Sequence, residues 1–206
     1  MTGRVALSLL LACTVVAAVA SAATASRAAK LHVTFVGDSV PASIDHTAAA
    51  QQVLRNRYAI RLDLAVCRRL VTASCRFKGS RPRTALQAVQ SYGSRLGDVL
   101  VVKVGYNESA QGYREGIDQV MRAAVRQGVH GVVWVTLRET RDVYRRTNVV
   151  IRTAAERWPQ LVVADWNSYS AGQPWFRSDG LHLTGEGAEA MARFLQPYVS
   201  RAAVAT

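Results

Sequence analysis

The sequence predicts an α/β protein, a three-layer sandwich in which a five-stranded parallel sheet lies between two helical layers. Three observations predict it. Short apolar runs rich in β-branched residues recur along the chain, stretches with helical spacing separate them, and turn residues close several of the boundaries. Runs of this kind read as strands buried on both faces, and their alternation with helices makes the sheet parallel and the connections right-handed.

In chain order, the expected strands are Leu31–Val36, Arg61–Val66, Val99–Val104, Gly131–Thr136 and Leu161–Ala164. The expected helices are Ala48–Arg57, Arg83–Arg95, Tyr113–Gln127, Arg145–Trp158 and Gly185–Arg201, with Gly128 and Pro159 closing the third and fourth. No internal repeat or low-complexity linker interrupts the series, so one domain is expected over residues 30–203. A chain of 206 residues buries a core without staples.

Hydrophobic residues make up 50% of the chain and charged residues 19%, which excludes a disordered tail, a collagen-like repeat and a polytopic membrane protein. The formal charge of +12 favours anionic neighbours such as an acidic cell-surface polymer or lipid headgroups. No zinc-finger spacing or RNA-binding signature accompanies the arginines, so no nucleic-acid partner is expected.

Met1–Ala22 reads as a secretory signal peptide. It has one cation, Arg4, then the apolar run Val5–Val19 and the small residues Ala20-Ser21-Ala22-Ala23. An uncleaved anchor is the weaker reading, since the run is short for the ~20 residues a bilayer requires. Leu10-Leu11-Ala12-Cys13 looks like a lipoprotein-processing box, but Cys13 comes early and more apolar residues follow it. The expected location is therefore extracytoplasmic, without a stable transmembrane anchor. Past the leader only Cys67 and Cys75 remain, so one disulfide across a short arginine-rich loop is expected, two free thiols being the alternative. No further Cys or nearby His completes a metal site around them.

In open parallel sheets, ligands collect at the carboxyl ends of the strands. The first expected strand runs into Gly37-Asp38-Ser39, where a glycine permits a tight turn and a serine hydroxyl stands at the mouth of the site. Helix capping by Asp38 and Ser39 is the structural alternative. Asp179-Gly180-Leu181-His182 precedes the last helix, and an Asp three residues before a His lets one loop present a base and the carboxylate that orients it. The other histidines are worse placed: His32 begins a buried strand, His130 lies in a helix-to-strand turn, and His46 has no strand-end setting. Gly105-Tyr106-Asn107-Glu108 closes the third strand, and an Asn amide suits an oxygen that becomes negative in acyl transfer.

With these blocks in this order, the sequence resembles the SGNH hydrolases, also called GDSL esterases and lipases. The resemblance runs from Val36-Gly37-Asp38-Ser39 to Asp179-Gly180-Leu181-His182. It implies a flavodoxin-like sandwich, Ser39 as nucleophile and backbone oxyanion donor, Asn107 as amide donor, and Asp179 and His182 as the rest of a triad. Gly37, Asp38 and Gly105 would support them. Two departures stand out. The family's second block offers a Gly after the second strand, whereas this chain has Cys67-Arg68-Arg69, so a backbone N–H of Cys67 or Arg68 is expected to substitute. The third block ends in Glu108 where the family has Asp.

The activity implied is hydrolysis of a carboxylic ester through an acyl-enzyme, with no metal or organic cofactor. The substrate is a small-molecule, lipid or glycan ester. Alternatives are an acyltransferase or deacylase on extracellular glycans, and a non-catalytic secreted binding module on the same fold. The loops Tyr106–Tyr113, Asp142–Arg146 and Trp166–Arg177 are expected to shape the pocket, with Trp166, Trp175 and Phe176 either lining an acyl site or packing in the interior.

Overall fold

The computed structural model describes residues 29–205, so the expected leader Met1–Ala22 and Cys13 lie outside the described residues. Five strands, β1 (His32–Gly37), β2 (Ala59–Leu64), β3 (Val99–Lys103), β4 (Gly131–Val135) and β5 (Leu161–Ala164), form one parallel sheet in the order β2-β1-β3-β4-β5. Every residue of β3 and β4 is buried, as expected of central strands. The helices α1 (Ala48–Arg57) and α6 (Gly185–Ala202) pack together on one face. On the other, α2 (Ala85–Tyr92) packs against α3 (Tyr113–Arg126), and α3 against α4 (Asp142–Ala154).

Local chemistry explains the boundaries. Thr84 accepts from the Gln87 N–H while the Gln87 side chain accepts from the Thr84 N–H, a capping box that starts α2. Ile117, Val120, Met121 and Ala124 fall on one face of α3 and are all buried. Thr184 caps α6 by accepting from the Gly187 N–H.

Three expectations are corrected. The second strand begins two residues before the expected Arg61 and ends at Leu64, and it is only partly buried, because β2 is an edge strand whose polar Arg61 and Asp63 sit in the ladder. The fourth helix starts at Asp142 rather than Arg145, so Asp142–Arg146 is the first turn of α4 and not a loop. The second helix is shorter than Arg83–Arg95, ending at Tyr92 before a 3-10 turn over Gly93–Leu96.

Two elements were not expected: a 3-10 turn over Pro41–His46, and a one-turn helix, α5 (Trp166–Tyr169), started by Asp165, which accepts from the Ser168 N–H. Cys67 and Cys75 are joined as a disulfide. No helix among the described residues is long and apolar enough to cross a membrane.

Candidate active site

β1 leads to β2 on one side of the sheet, whereas β3, β4 and β5 follow on the other, so the switch in strand order falls between β1 and β3. In open sheets of this kind ligands bind at such a switch point, outside the carboxyl ends of the strands. Ser39 follows β1 and Asn107 follows β3, so both stand at this point. Gly37 is required by close packing: a Cβ there would lie 2.4 Å from Pro41 Cγ and 2.7 Å from Leu64 Cδ2.

The last block reaches the same place from the far end of the chain. His182 Nε2 lies 3.1 Å from Ser39 Oγ, and His182 Nδ1 lies 2.7 Å from Asp179 Oδ2. Asp179 Oδ1 also accepts from the Leu181 and His182 N–H groups at 2.8 and 2.9 Å. The hydrogen bond from His182, helped by these two, holds the Asp179 carboxyl down at about 2. An ionised carboxylate only accepts, so Nδ1 carries the proton and Nε2 faces Ser39 as the acceptor. Gly180, at φ +67°, makes the tight turn between the two residues.

Asp38 does not cap a helix in the usual way. It is fully buried, and its carboxylate accepts from the N–H groups of Val40, Gly105 and Tyr106 at 3.1, 3.0 and 3.2 Å. It thereby ties the first block to the third. Burial raises its pKa, against the pull of those donors and of Lys103. Lys103, also fully buried, donates to Thr136 O at 2.7 Å, and burial brings its pKa down to about 7.

The second block has no Gly after β2, yet its backbone takes a shape that favours one. Cys67 has φ +71°, the left-handed conformation that favours glycine. The Arg68 N–H donates to Ala65 O at 3.2 Å, whereas the Cys67 N–H has no acceptor among the described residues. Of the two expected backbone donors, Cys67 is therefore the one left available. Asn107 Nδ2 donates to Arg68 O at 3.1 Å, leaving its second amide hydrogen. Glu108 reaches across to accept from the Leu70 N–H, so its extra methylene serves a contact between the second and third blocks.

Two roles escaped the sequence reading. Arg68 is buried to 2% exposure, and its guanidinium pairs with Asp63 Oδ1 at 2.6 Å while also donating to Arg83 O and Gly37 O. Burial pushes Asp63 up, but the Arg68 hydrogen bond and charge outweigh it and hold the carboxyl below its usual range. Arg138, just past β4, stacks its guanidinium 3.7 Å from the Phe176 ring centre and donates to Gly180 O. Its own N–H donates to the Tyr106 hydroxyl at 2.6 Å. Arg138 thus links the third block to the Asp179–His182 loop, by contacts between residues distant in sequence that no local motif marks. Trp166 is fully buried and stacks on Trp175, which assigns it to the interior rather than to an acyl site.

These features define a doubly wound α/β domain with a Ser-His-Asp array at its switch point. No protein-family model matches the sequence. The O-acetyltransferase OatA of Staphylococcus aureus (strain NCTC 8325 / PS 47) is 31% identical over 99 residues, which is 48% of this chain but 16% of that protein. A carbohydrate acetylesterase family member from Sinorhizobium meliloti superposes with a TM-score of 0.63 at 17% identity, over 84% of this chain and 99% of that one. A GDSL-like lipase candidate from Bacteroides ovatus ATCC 8483 gives 0.62 at 14% identity, over 84% and 54%. The chain has the SGNH hydrolase fold.

Proposed function

We propose that the protein is an extracytoplasmic serine esterase of the SGNH type, acting on small acyl esters, acetyl esters first among them. The observation that carries this reading is the unbroken hydrogen-bonded series Asp179–His182–Ser39. In the first step His182 Nε2 takes the hydroxyl proton as Ser39 Oγ attacks the ester carbonyl. Asp179 keeps the imidazole in the productive tautomer and stabilises its charge. The oxyanion is met by the Ser39 and Cys67 N–H groups and by the free amide hydrogen of Asn107. His182 then protonates the departing alcohol, and a water activated by the same imidazole releases the acyl group. This chemistry calls on no metal or organic cofactor. The leader residues, the disulfide and the net charge support export to a wall or surface rich in anionic polymer.

A second reading is transfer of the acyl group to a sugar hydroxyl. The likeness to an O-acetyltransferase favours it, although the chain spans only 16% of the length of that relative. Both reactions pass through the same acyl-enzyme and differ in what accepts the acyl group.

The test is hydrolysis of p-nitrophenyl acetate by the wild type and by Ser39→Ala, with a fluorophosphonate probe to label the nucleophile. Loss of at least ~10³-fold in kcat and of labelling, with an unchanged melting temperature, is expected. Undiminished turnover in Ser39→Ala ends the reading. Adding a glycan acceptor and following where the acetyl group goes separates transferase from hydrolase.

A further inference from the structure

We infer that the Cys67–Cys75 disulfide positions an oxyanion donor: it holds residue 67 in the left-handed conformation, where a glycine would need no support, and so keeps the Cys67 N–H available to the reacting oxygen. The inference rests on the esterase reading above and makes Cys75 a positioning residue for the same site.

Backbone contacts carry the second block to the other two. The Ala65 N–H donates to Gly37 O at 3.0 Å, so the chain past β2 stays beside the end of β1, just before Ser39. The Asn107 amide donates to Arg68 O at 3.1 Å, which brings the third block against the same turn. Cys67 lies between these two contacts along the chain, and its N–H has no acceptor among the described residues.

A residue with a Cβ is crowded at φ +71°, so this conformation persists only where the surrounding structure dictates it. Here Cys75 dictates it. Its sulfur is bonded to that of Cys67, and its N–H donates to Cys67 O at 3.3 Å, so one residue holds both the side chain and the carbonyl of residue 67. Ser74, buried to 1% exposure, accepts from the Arg69 N–H at 3.2 Å and seats the returning segment. The bridge spans a sequence separation of 8, and residues 76–81 beyond it are exposed. A loop so short constrains the unfolded chain less than a long-range bridge would, which leaves local shape as the larger effect of the bond.

Three proteins test this by hydrolysis of p-nitrophenyl acetate: the wild type, Cys67→Ala with Cys75→Ala, and Cys67→Gly with Cys75→Ala. Both double variants lose the bridge, so any general effect of losing it is common to them, and the assays run well below every melting temperature. The alanine pair should lose at least ~10-fold in kcat and kcat/KM together, toward the ~10²–10³ that removal of an oxyanion donor costs. The glycine-bearing variant should recover most of that loss, since glycine takes the left-handed shape unaided. An alanine pair as active as the wild type, or two double variants slowed alike, overturns the inference and leaves the esterase reading standing. A wild type whose hydrolysis does not depend on Ser39 ends that reading, and this inference with it.

Reduction gives a second readout. Both cysteines are partly exposed, and dithiothreitol passes two electrons and two protons to the bridge, becoming a cyclic disulfide and leaving two thiols. The wild-type kcat should then fall about as far as in the alanine pair and return on reoxidation, whereas Cys67→Gly with Cys75→Ala should not respond. A wild-type rate that survives complete reduction, checked by thiol alkylation, overturns the inference.

Discussion

Ser39 and His182, the proposed nucleophile and base, are held in opposite ways. Ser39 follows a buried strand and is backed by Asp38, whose carboxylate lies at 0% exposure among three backbone donors. His182 and Asp179 sit on a surface loop, with side chains 36% and 48% exposed. That loop is shaped mostly by its own hydrogen bonds: Asp179 to the Leu181 and His182 N–H groups, and the Arg177 N–H to His182 O at 2.7 Å. The interior half of the array is therefore coupled to folding, whereas the surface half can be lost with the fold intact.

The largest effects should divide along this line. Asp179→Asn should lower kcat by ~10³–10⁴, since the imidazole loses its orienting anion, and leave the melting temperature within about 2 °C. Asp38→Ala should act on both. Removing its carboxylate leaves buried N–H groups without acceptors, at a cost of roughly 3–5 kcal/mol, or a fall of roughly 10 °C in melting temperature. Thermal denaturation and ester hydrolysis measured on both variants check the division. An Asp38→Ala protein as stable as the wild type would break the comparison.

A smaller effect concerns the link between the halves. Arg138 contacts Gly180 O and the Phe176 ring from one end and the Tyr106 hydroxyl through its own N–H. Arg138→Met keeps the backbone bond to Tyr106 and loses the contacts to the loop. A fall of about 10-fold in kcat with KM nearly unchanged is expected, because misplacing the base affects the transition state more than ground-state binding. Added guanidinium should restore part of kcat in Arg138→Ala. A change confined to KM would instead make Arg138 a substrate contact.

How legible these features are in the sequence follows from the range of the interactions that produce them. Val99–Lys103 and Gly131–Val135 announce themselves because every side chain must be apolar or neutralised to lie in the centre of the sheet. The bounds of β2 are less legible, since an edge strand tolerates Arg61 and Asp63. Ser39, His182 and Asp179 stand out because a three-residue spacing and a strand end are local patterns. The choice between Cys67 and Arg68 as backbone donor is not legible in the sequence, because it turns on a left-handed backbone at Cys67 and on the Arg68 N–H being bonded to Ala65 O. Arg138 and Asp38 act on partners 42 and 67 residues away, and no local pattern registers such contacts.

The smallest effect tests the interior half through Lys103, a cation inside a central strand. Burial sets its pKa at about 7, against 10.5 for the free side chain. Across that window the unfolded chain keeps a proton that the folded chain releases, so the penalty for burying the charge is present at pH 6 and relieved as pH rises. Stability should therefore climb with pH between about 7 and 10. Lys103→Met removes this dependence along with the bond to Thr136 O. Asp38, raised by burial, works in the opposite sense, and in Lys103→Met it also loses the charge that pulls it down, so its contribution moves the difference between the two proteins in the same direction. The melting temperature of Lys103→Met minus that of the wild type should shrink by a few degrees from pH 6 to pH 9. Parallel curves would mean that Lys103 stays charged throughout, held by its bond to Thr136 O and the field of Asp38.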